Sequence, residues 1–223
     1  MSNIITTESV CRIFPVVGGQ DFYALKDITL QIPQGTLTVL KGRSGSGKTT
    51  LINSLGALDM PSSGHVFFEN RDITKMSERK RELYRRRELG FVFQSVSLIP
   101  MMTALENVEF ALRLAGISKG RRERAEQCLH MVGLGNRMDH MPQEMSGGEQ
   151  QRVAIARAVA HSPKIIFADE PTAELDSASS VTVVNLFKEM VAKEGVTIVM
   201  TTHDTSLMGA GDLLYELQDG ELI

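Results

Sequence analysis

Gly42-Arg43-Ser44-Gly45-Ser46-Gly47-Lys48-Thr49 has the residues and spacing of a phosphate-binding loop, G-x-x-x-x-G-K-[ST]. Its glycines let backbone N–H groups converge on phosphate oxygens where a Cβ would obstruct them. Lys48 is expected to neutralise β- and γ-phosphates, Thr49 to set its hydroxyl on Mg²⁺, and Thr50 to donate to an α-phosphate. Farther along, Ile165-Ile166-Phe167-Ala168 is an apolar run that ends in Asp169-Glu170. Alone, two acids before Pro171 would read as a helix cap. Behind a phosphate loop, Asp169 is expected to reach the Mg²⁺ shell and Glu170 to orient and deprotonate an attacking water. His203 closes a second apolar run, Thr197 to Thr202, where an imidazole could bond a γ-phosphate and hold the water in line. Gln94 follows Phe91-Val92-Phe93, and its neutral amide suits a sensor of Mg²⁺ or of the water better than a base.

Met145-Ser146-Gly147-Gly148-Glu149-Gln150-Gln151-Arg152 opens a second helix whose unpaired first-turn N–H groups suit an anion. One nucleotide site does not need two such turns in one chain.

These groups require a scaffold that brings strand ends together. Alternation over Ala24 to Ile32 predicts a half-buried strand, and Thr36 to Leu40 a more uniformly apolar one. With Gly64 to Phe68 they are expected to form an antiparallel layer in the N-terminal half. A helix from Lys48 to about Leu58 and a buried strand over Gly90 to Phe93 follow. Between residues 95 and 160 the pattern is helical. Thr103 and Glu106 form a capping box for a helix toward Ala115, and further helices run over Gly120 to Val132 and Gly147 to His161. Strand and helix then alternate: Lys164 to Ala168, Ser177 to Lys193, Val196 to Thr201, and Asp212 to Leu217 before a turn at Asp219-Gly220. Apolar strands alternating with helices predict an α/β fold on a mainly parallel sheet.

The 223 residues suffice for one large domain, with no internal repeat or low-complexity linker. Twenty-four basic against 27 acidic residues leave a formal charge of -3, no global attraction for nucleic acid. The cluster Arg79, Lys80, Arg81, Arg85, Arg86 and Arg87 is broken by Glu78, Glu82 and Glu88 and reads as a solvated helix face. Cys11 and Cys128 lack the spacing of a metal site, which fits a reducing compartment. Met1 to Val10 does not have the basic start and apolar run of a secretory signal. No charge-free stretch is long enough to span a bilayer. The expected setting is cytoplasmic, with any membrane attachment supplied by another chain.

Taken in order over the whole chain, these motifs resemble those of the nucleotide-binding subunit of an ATP-binding-cassette transporter. The resemblance implies a P-loop NTPase (RecA-like) core, an N-terminal antiparallel β subdomain and an inserted α-helical subdomain at about 95–160, all in one ATPase domain. It implies ATP and Mg²⁺, with Thr49, Gln94 and Asp169 on the metal side and Gly42 to Thr50 around the phosphates. Phe14 matches the aromatic that stacks on adenine, although Phe22 and Tyr23 are rival candidates. Gln94 matches the loop that couples nucleotide to the membrane subunit. Ser146, Gly147, Gly148 and Glu149 match the signature that clasps ATP on the opposite protomer, Asp176 the dimer-interface loop, and His203 the switch histidine. Two departures stand out. The usual Leu-Ser-Gly-Gly-Gln is Met145-Ser-Gly-Gly-Glu149, which adds an acid near a phosphate, and the usual Ser-Ala-Leu-Asp carries Glu174.

Leu98-Ile99-Pro100 and Thr103 to Val108 further resemble the lipoprotein-release and macrolide-efflux branch, which includes peptide exporters. The implied partners are a second copy, packed head to tail around two ATP molecules, and a membrane permease on whose cytoplasmic face the chain would sit. Cassettes that work on DNA or ribosomes resemble longer chains with insertions or tandem cassettes. A silent nucleotide-binding module would be expected to lack Lys48, Glu170 or His203.

Overall fold

The computed structural model describes residues 2–223, and among them the strands form two sheets. The first sheet is built on β1 (Asn3–Phe14), which sequence alternation did not announce. Its register shifts near Ser9, whose φ of 47° marks an irregularity, so no period of two runs through it. β1 pairs antiparallel with β2 (Phe22–Ile28) and β3 (Gln31–Pro33). The single strand expected over Ala24 to Ile32 is therefore two, divided at Thr29 and Leu30, just beyond Asp27, whose backbone turns at φ 51°.

β4 (Leu37–Lys41) corrects the expectation more deeply. It does not join the antiparallel layer but lies inside the second sheet, between β9 (Thr197–Thr202) and β10 (Leu213–Gln218), parallel to both. Its run of buried residues is the reason, since a strand covered on both faces has no polar side. β5 (Ser63–Phe68) and β6 (Arg71–Asp72) complete the antiparallel layer. The second sheet continues through β8 (Ile165–Ala168) to β7 (Leu89–Val92), all parallel. At its other edge β11 (Glu221–Leu222) folds back antiparallel on β10 through Asp219 and Gly220, both at positive φ.

α1 (Lys48–Leu55) fills the space between the sheets, where Leu51, Ile52 and Leu55 join Ile5, Leu25, Phe68, Phe167 and Val199 in one apolar core. It stops short of Leu58 at Gly56, where a Cβ would come within 2.6 Å of the Phe91 ring. α2 (Glu78–Glu88) carries the basic cluster. Arg81 and Arg85 pair with Glu78 there and also bond the carbonyls of Met76 and Ala57. On the far side of the parallel sheet, α3 (Ala104–Leu114), α4 (Arg121–Met131) and α5 (Gly147–Val159) share a second core with α6 (Ser177–Glu194), which includes Val108, Leu112, Leu129, Val153, Val183 and Phe187. α3 starts at the capping box, with Thr103 N–H donating to Glu106 at 2.8 Å and Glu106 N–H to Thr103 at 3.2 Å.

Tyr84 on α2 packs edge-on against Phe68, with ring centroids 4.8 Å apart, and its buried hydroxyl has no hydrogen-bond partner. Burial, with Glu69 and Glu88 nearby, pushes its ionisation far above the ordinary tyrosine value. A buried hydroxyl without a partner costs free energy. Tyr84→Phe is therefore expected to leave stability unchanged or raise it by up to about 1 kcal/mol, measured by urea unfolding. A loss of stability would mean that the hydroxyl has an uncounted partner.

Candidate active site

The parallel strands end at one edge, and three of them deliver the chemistry. After β4 the chain turns through the Gly42 loop into α1; after β8 come Asp169 and Glu170; after β9 comes His203. Gly42 is enclosed, since a Cβ there would lie 2.4 Å from both Leu217 O and Ser46 Oγ. Gly47, at φ 105°, caps α1 without a side-chain bond, and a Cβ would meet Ala24 O at 2.5 Å. The first turn of α1 thus keeps its N–H groups uncapped by side chains. Ser46 Oγ is buried with no partner.

Lys48 is 4% exposed, and its ammonium is ringed by oxygens. It donates to Gly42 O at 2.8 Å and Arg43 O at 3.1 Å, and lies 3.2 Å from Glu170 Oε1. The other oxygen of Glu170 is 3.0 Å from His203 Nδ1. One carboxylate therefore joins the loop lysine to the strand-end histidine. Its backbone is in the left-handed region, at φ 44°, a conformation that costs a non-glycine residue roughly 1 kcal/mol or more. Two bonds hold it there: Glu170 N–H donates to Thr201 Oγ1 at 2.8 Å, and Thr201 Oγ1 donates to Asp169 Oδ1 at 2.7 Å.

Two of the clefts that open on these groups are bordered by both Gln94 and Glu170. The larger, about 670 Å³, is lined by Gly42, Arg43, Ser44, Gln94, Glu170 and His203 together with Lys41 and Glu216. The other is lined by Gly45, Gly47, Lys48, Thr49, Thr50, Gln94 and Glu170, with Phe22 and Ala24. Phe22 thus borders the phosphate loop, while Phe14 sits directly across from it in the β1–β2 pairing. The Arg12 guanidinium lies 4.4 Å from the centre of the Phe14 ring and is itself clamped by Asp59 at 2.7 and 2.9 Å. One face of the Phe14 ring is therefore already occupied. The donor set suits a hard cation: Thr49 and Gln94 share a cleft and offer neutral oxygens, and Asp169 supplies a carboxylate oriented by Thr201. Among the described residues no cluster of three His, Cys, Asp or Glu could hold a metal by itself.

The family model described as ABC transporter matches residues 25–173. The chain belongs to the ABC transporter family. An uncharacterized ABC transporter ATP-binding protein of Methanocaldococcus jannaschii is 48% identical over 221 residues, covering 99% of this chain and 98% of that one. The lipoprotein-releasing system ATP-binding protein LolD of Syntrophus aciditrophicus is 42% identical over 206 residues, 92% of each chain. A solved ATP-binding cassette of M. jannaschii, dimeric in a post-hydrolysis state with ADP and Pi, superposes with a TM-score of 0.89 at 40% identity, covering 98% of this chain and 96% of that one. The fold is that of a P-loop ABC cassette, and the chain is an ATP-binding ATPase subunit of an ABC transporter.

In this cassette the Ser146 to Glu149 turn lines neither cleft. Ser146 caps α5: its Oγ accepts from Glu149 N–H at 3.3 Å, and Glu149 Oε2 accepts Ser146 N–H at 2.8 Å and its hydroxyl at 3.0 Å. Asp176 likewise caps α6, accepting Ser179 N–H at 2.9 Å and Ser179 Oγ at 2.8 Å, and these bonds hold its carboxyl below the usual range. The two turns touch, because a Cβ on Gly148 would lie 3.0 Å from Ser179 Oγ. Glu174 is exposed.

Two residues that sequence reasoning missed tie the Gln94 loop down. Arg157 on α5 donates to Ser97 O at 2.6 Å and Val96 O at 3.1 Å. The buried Asn107 accepts Ile99 N–H at 2.8 Å and donates to the carbonyls of Ile99, Met102 and Thr103. Their only signal was a cation and an amide within otherwise apolar helix faces.

Gly47→Ala is the sharpest test of the loop. Positive φ and the 2.5 Å approach to Ala24 O act together, so the loop must shift. Nucleotide binding is expected to be lost, with a fall in unfolding free energy of about 1–3 kcal/mol. Isothermal titration with ATP and urea unfolding measure the two.

Proposed function

We propose that this chain hydrolyses ATP with Glu170 as general base, between two copies packed head to tail, to drive a separate membrane permease. The observation that carries this reading is Glu170 bridging Lys48 and His203 from a strained backbone. An ammonium has three protons, and those of Lys48 already face Gly42 O, Arg43 O and Glu170. A γ-phosphate can reach Lys48 only by displacing one of them. Glu170 is the acceptor that a second anion repels, so substrate binding turns its carboxylate from the lysine toward the attacking water. His203 stays within reach of the γ-phosphate and holds the geometry, and Gln94 borders both clefts as the sensor. Gly42, Arg43, Ser44, Gly45, Ser46, Gly47, Thr49 and Thr50 cradle the phosphates, and Phe14 offers its ring to adenine. Thr49, Asp169 and Gln94 would hold Mg²⁺, which when bound neutralises charge on the β- and γ-phosphates.

Ser146, Gly147 and Gly148 are read as the clasp for the other copy's ATP, a reading consistent with their lining neither of the two clefts described. Hydrolysis removes the bridging γ-phosphate and lets the halves part. Asp176, bonded to Ser179 beneath Gly148, belongs to the same dimer surface. Among the described residues no helix is long and apolar enough to cross a membrane. In this reading the force passes to a separate permease at the cytoplasmic face of the membrane. The likeness to LolD supports a permease of the lipoprotein-release type, within the branch that also holds macrolide and peptide efflux.

Glu170→Gln is expected to lower the rate of phosphate release about 100-fold or more and to accumulate an ATP-dependent dimer. Phosphate release and light scattering at saturating ATP-Mg²⁺ measure both. Equal hydrolysis by the two proteins would remove Glu170 from the mechanism. Pull-down of the chain from detergent-solubilised membranes should bring a permease with it.

A further inference from the structure

The signature turn carries an acid where it should repel its ligand. Glu149 lies in the first turn of α5, and a carboxylate there offsets the positive end of the helix that an anion needs. The structure also supplies a counter-charge. Arg137, in the short turn Gly135–Arg137 after α4, brings its Nε to 3.2 Å from Glu149 Oε1. Its Nη1 lies 3.0 Å from His140 Nε2, and since a guanidinium only donates, the imidazole nitrogen accepts. The guanidinium is thus anchored at two points beside the carboxylate. Bonds from Ser146, with Arg137 and Arg152 nearby, hold the Glu149 carboxyl below its ordinary value. The Glu149 oxygens are turned back onto Ser146 and out to Arg137, while the space around Gly147 stays open, with nothing within 4 Å of where its Cβ would be.

We propose that Arg137 is a positioning residue of the signature turn, neutralising Glu149 and holding it in the capping box so that the first-turn N–H groups can receive the phosphate of a second copy's ATP. This rests on the head-to-tail reading above. The pair is partly exposed, so its effect is modest and screened by salt.

The test uses the full chain carrying Glu170→Gln, with the ATP concentration for half-maximal dimerisation read by light scattering at low salt. Arg137→Gln is expected to raise that concentration about three- to tenfold, an effect that shrinks at high salt. Adding Glu149→Gln should restore the original value, because Gln still closes a capping box and brings no charge. Binding of a fluorescent ATP analogue to the monomer should be the same in all variants. The proposal is overturned if Arg137→Gln leaves dimerisation unchanged. It is equally overturned if Arg137→Gln has as large an effect in the chain that carries Glu149→Gln as in the chain that keeps Glu149, which would mark Arg137 as a structural brace. If the Glu170→Gln parent stays monomeric, the sandwich itself falls and the role of Arg137 with it; if the parent dimerises, only the role of Arg137 is in question.

Discussion

A lysine ammonium with almost no exposure must find acceptors inside the protein, and the way Lys48 does so organises the nucleotide end of the molecule. Two of its acceptors are carbonyls of its own loop, which fold the loop over the start of α1. The third, Glu170, comes from another strand, so the loop is fastened to the end of β8. Glu170 then reaches His203 beyond β9, and Thr201 on β9 holds the backbone of Glu170 and the side chain of Asp169. Three neighbouring strands are thereby joined across their ends by one polar chain. Parallel pairing with β4 between β9 and β10 is what makes the reach short.

A second set of bonds runs from this end toward the helices. Gln94 leaves the end of β7 into a loop that has little secondary structure of its own. Arg157 grips the carbonyls of Val96 and Ser97 from α5, and Asn107 grips Ile99 to Thr103 from α3. α5 is the helix that the Ser146 turn opens, and that turn rests on Ser179 at the start of α6. The Gln94 loop is therefore connected to the Ser146 turn, and on to Asp176, through the bonds of Arg157, the length of α5 and the close approach of Gly148 to Ser179. Packed helices transmit a shift because close-packed interiors have little room to absorb it.

The positions of the strand ends were legible in the sequence and the wiring between them was not. Glu170 and His203 stand just beyond strand ends and Lys48 at the start of α1, because a glycine turn or a sudden acid after an apolar run marks such a place locally. β1 escaped notice because a shifted register erases period-two alternation, and β4 was assigned to the wrong layer because periodicity reports burial but not the neighbouring strand. The basic cluster of α2 was rightly read as a helix face, yet nothing local told that Arg85 would cross to Ala57 O. The left-handed backbone of Glu170 was equally hidden, since it is imposed by Thr201 from a strand 31 residues away in sequence.

The acids in the Ser146 and Asp176 turns show why charge read from a motif misleads. By composition, Glu149 subtracts from an anion site at the start of α5, and Asp176 sets another acid at the start of α6. In the fold both are helix caps, and a capping carboxylate spends its lone pairs on N–H and O–H groups of its own turn. What an approaching phosphate meets is set by where the oxygens point and by which cation stands beside them. For Asp176 the hydroxyl and N–H of Ser179 take up both oxygens. Glu149 has one oxygen left over after capping, and that oxygen is the one Arg137 meets. An acid in the first turn of a helix is thus compatible with an anion site there when its geometry is that of a cap and its remaining charge is paired.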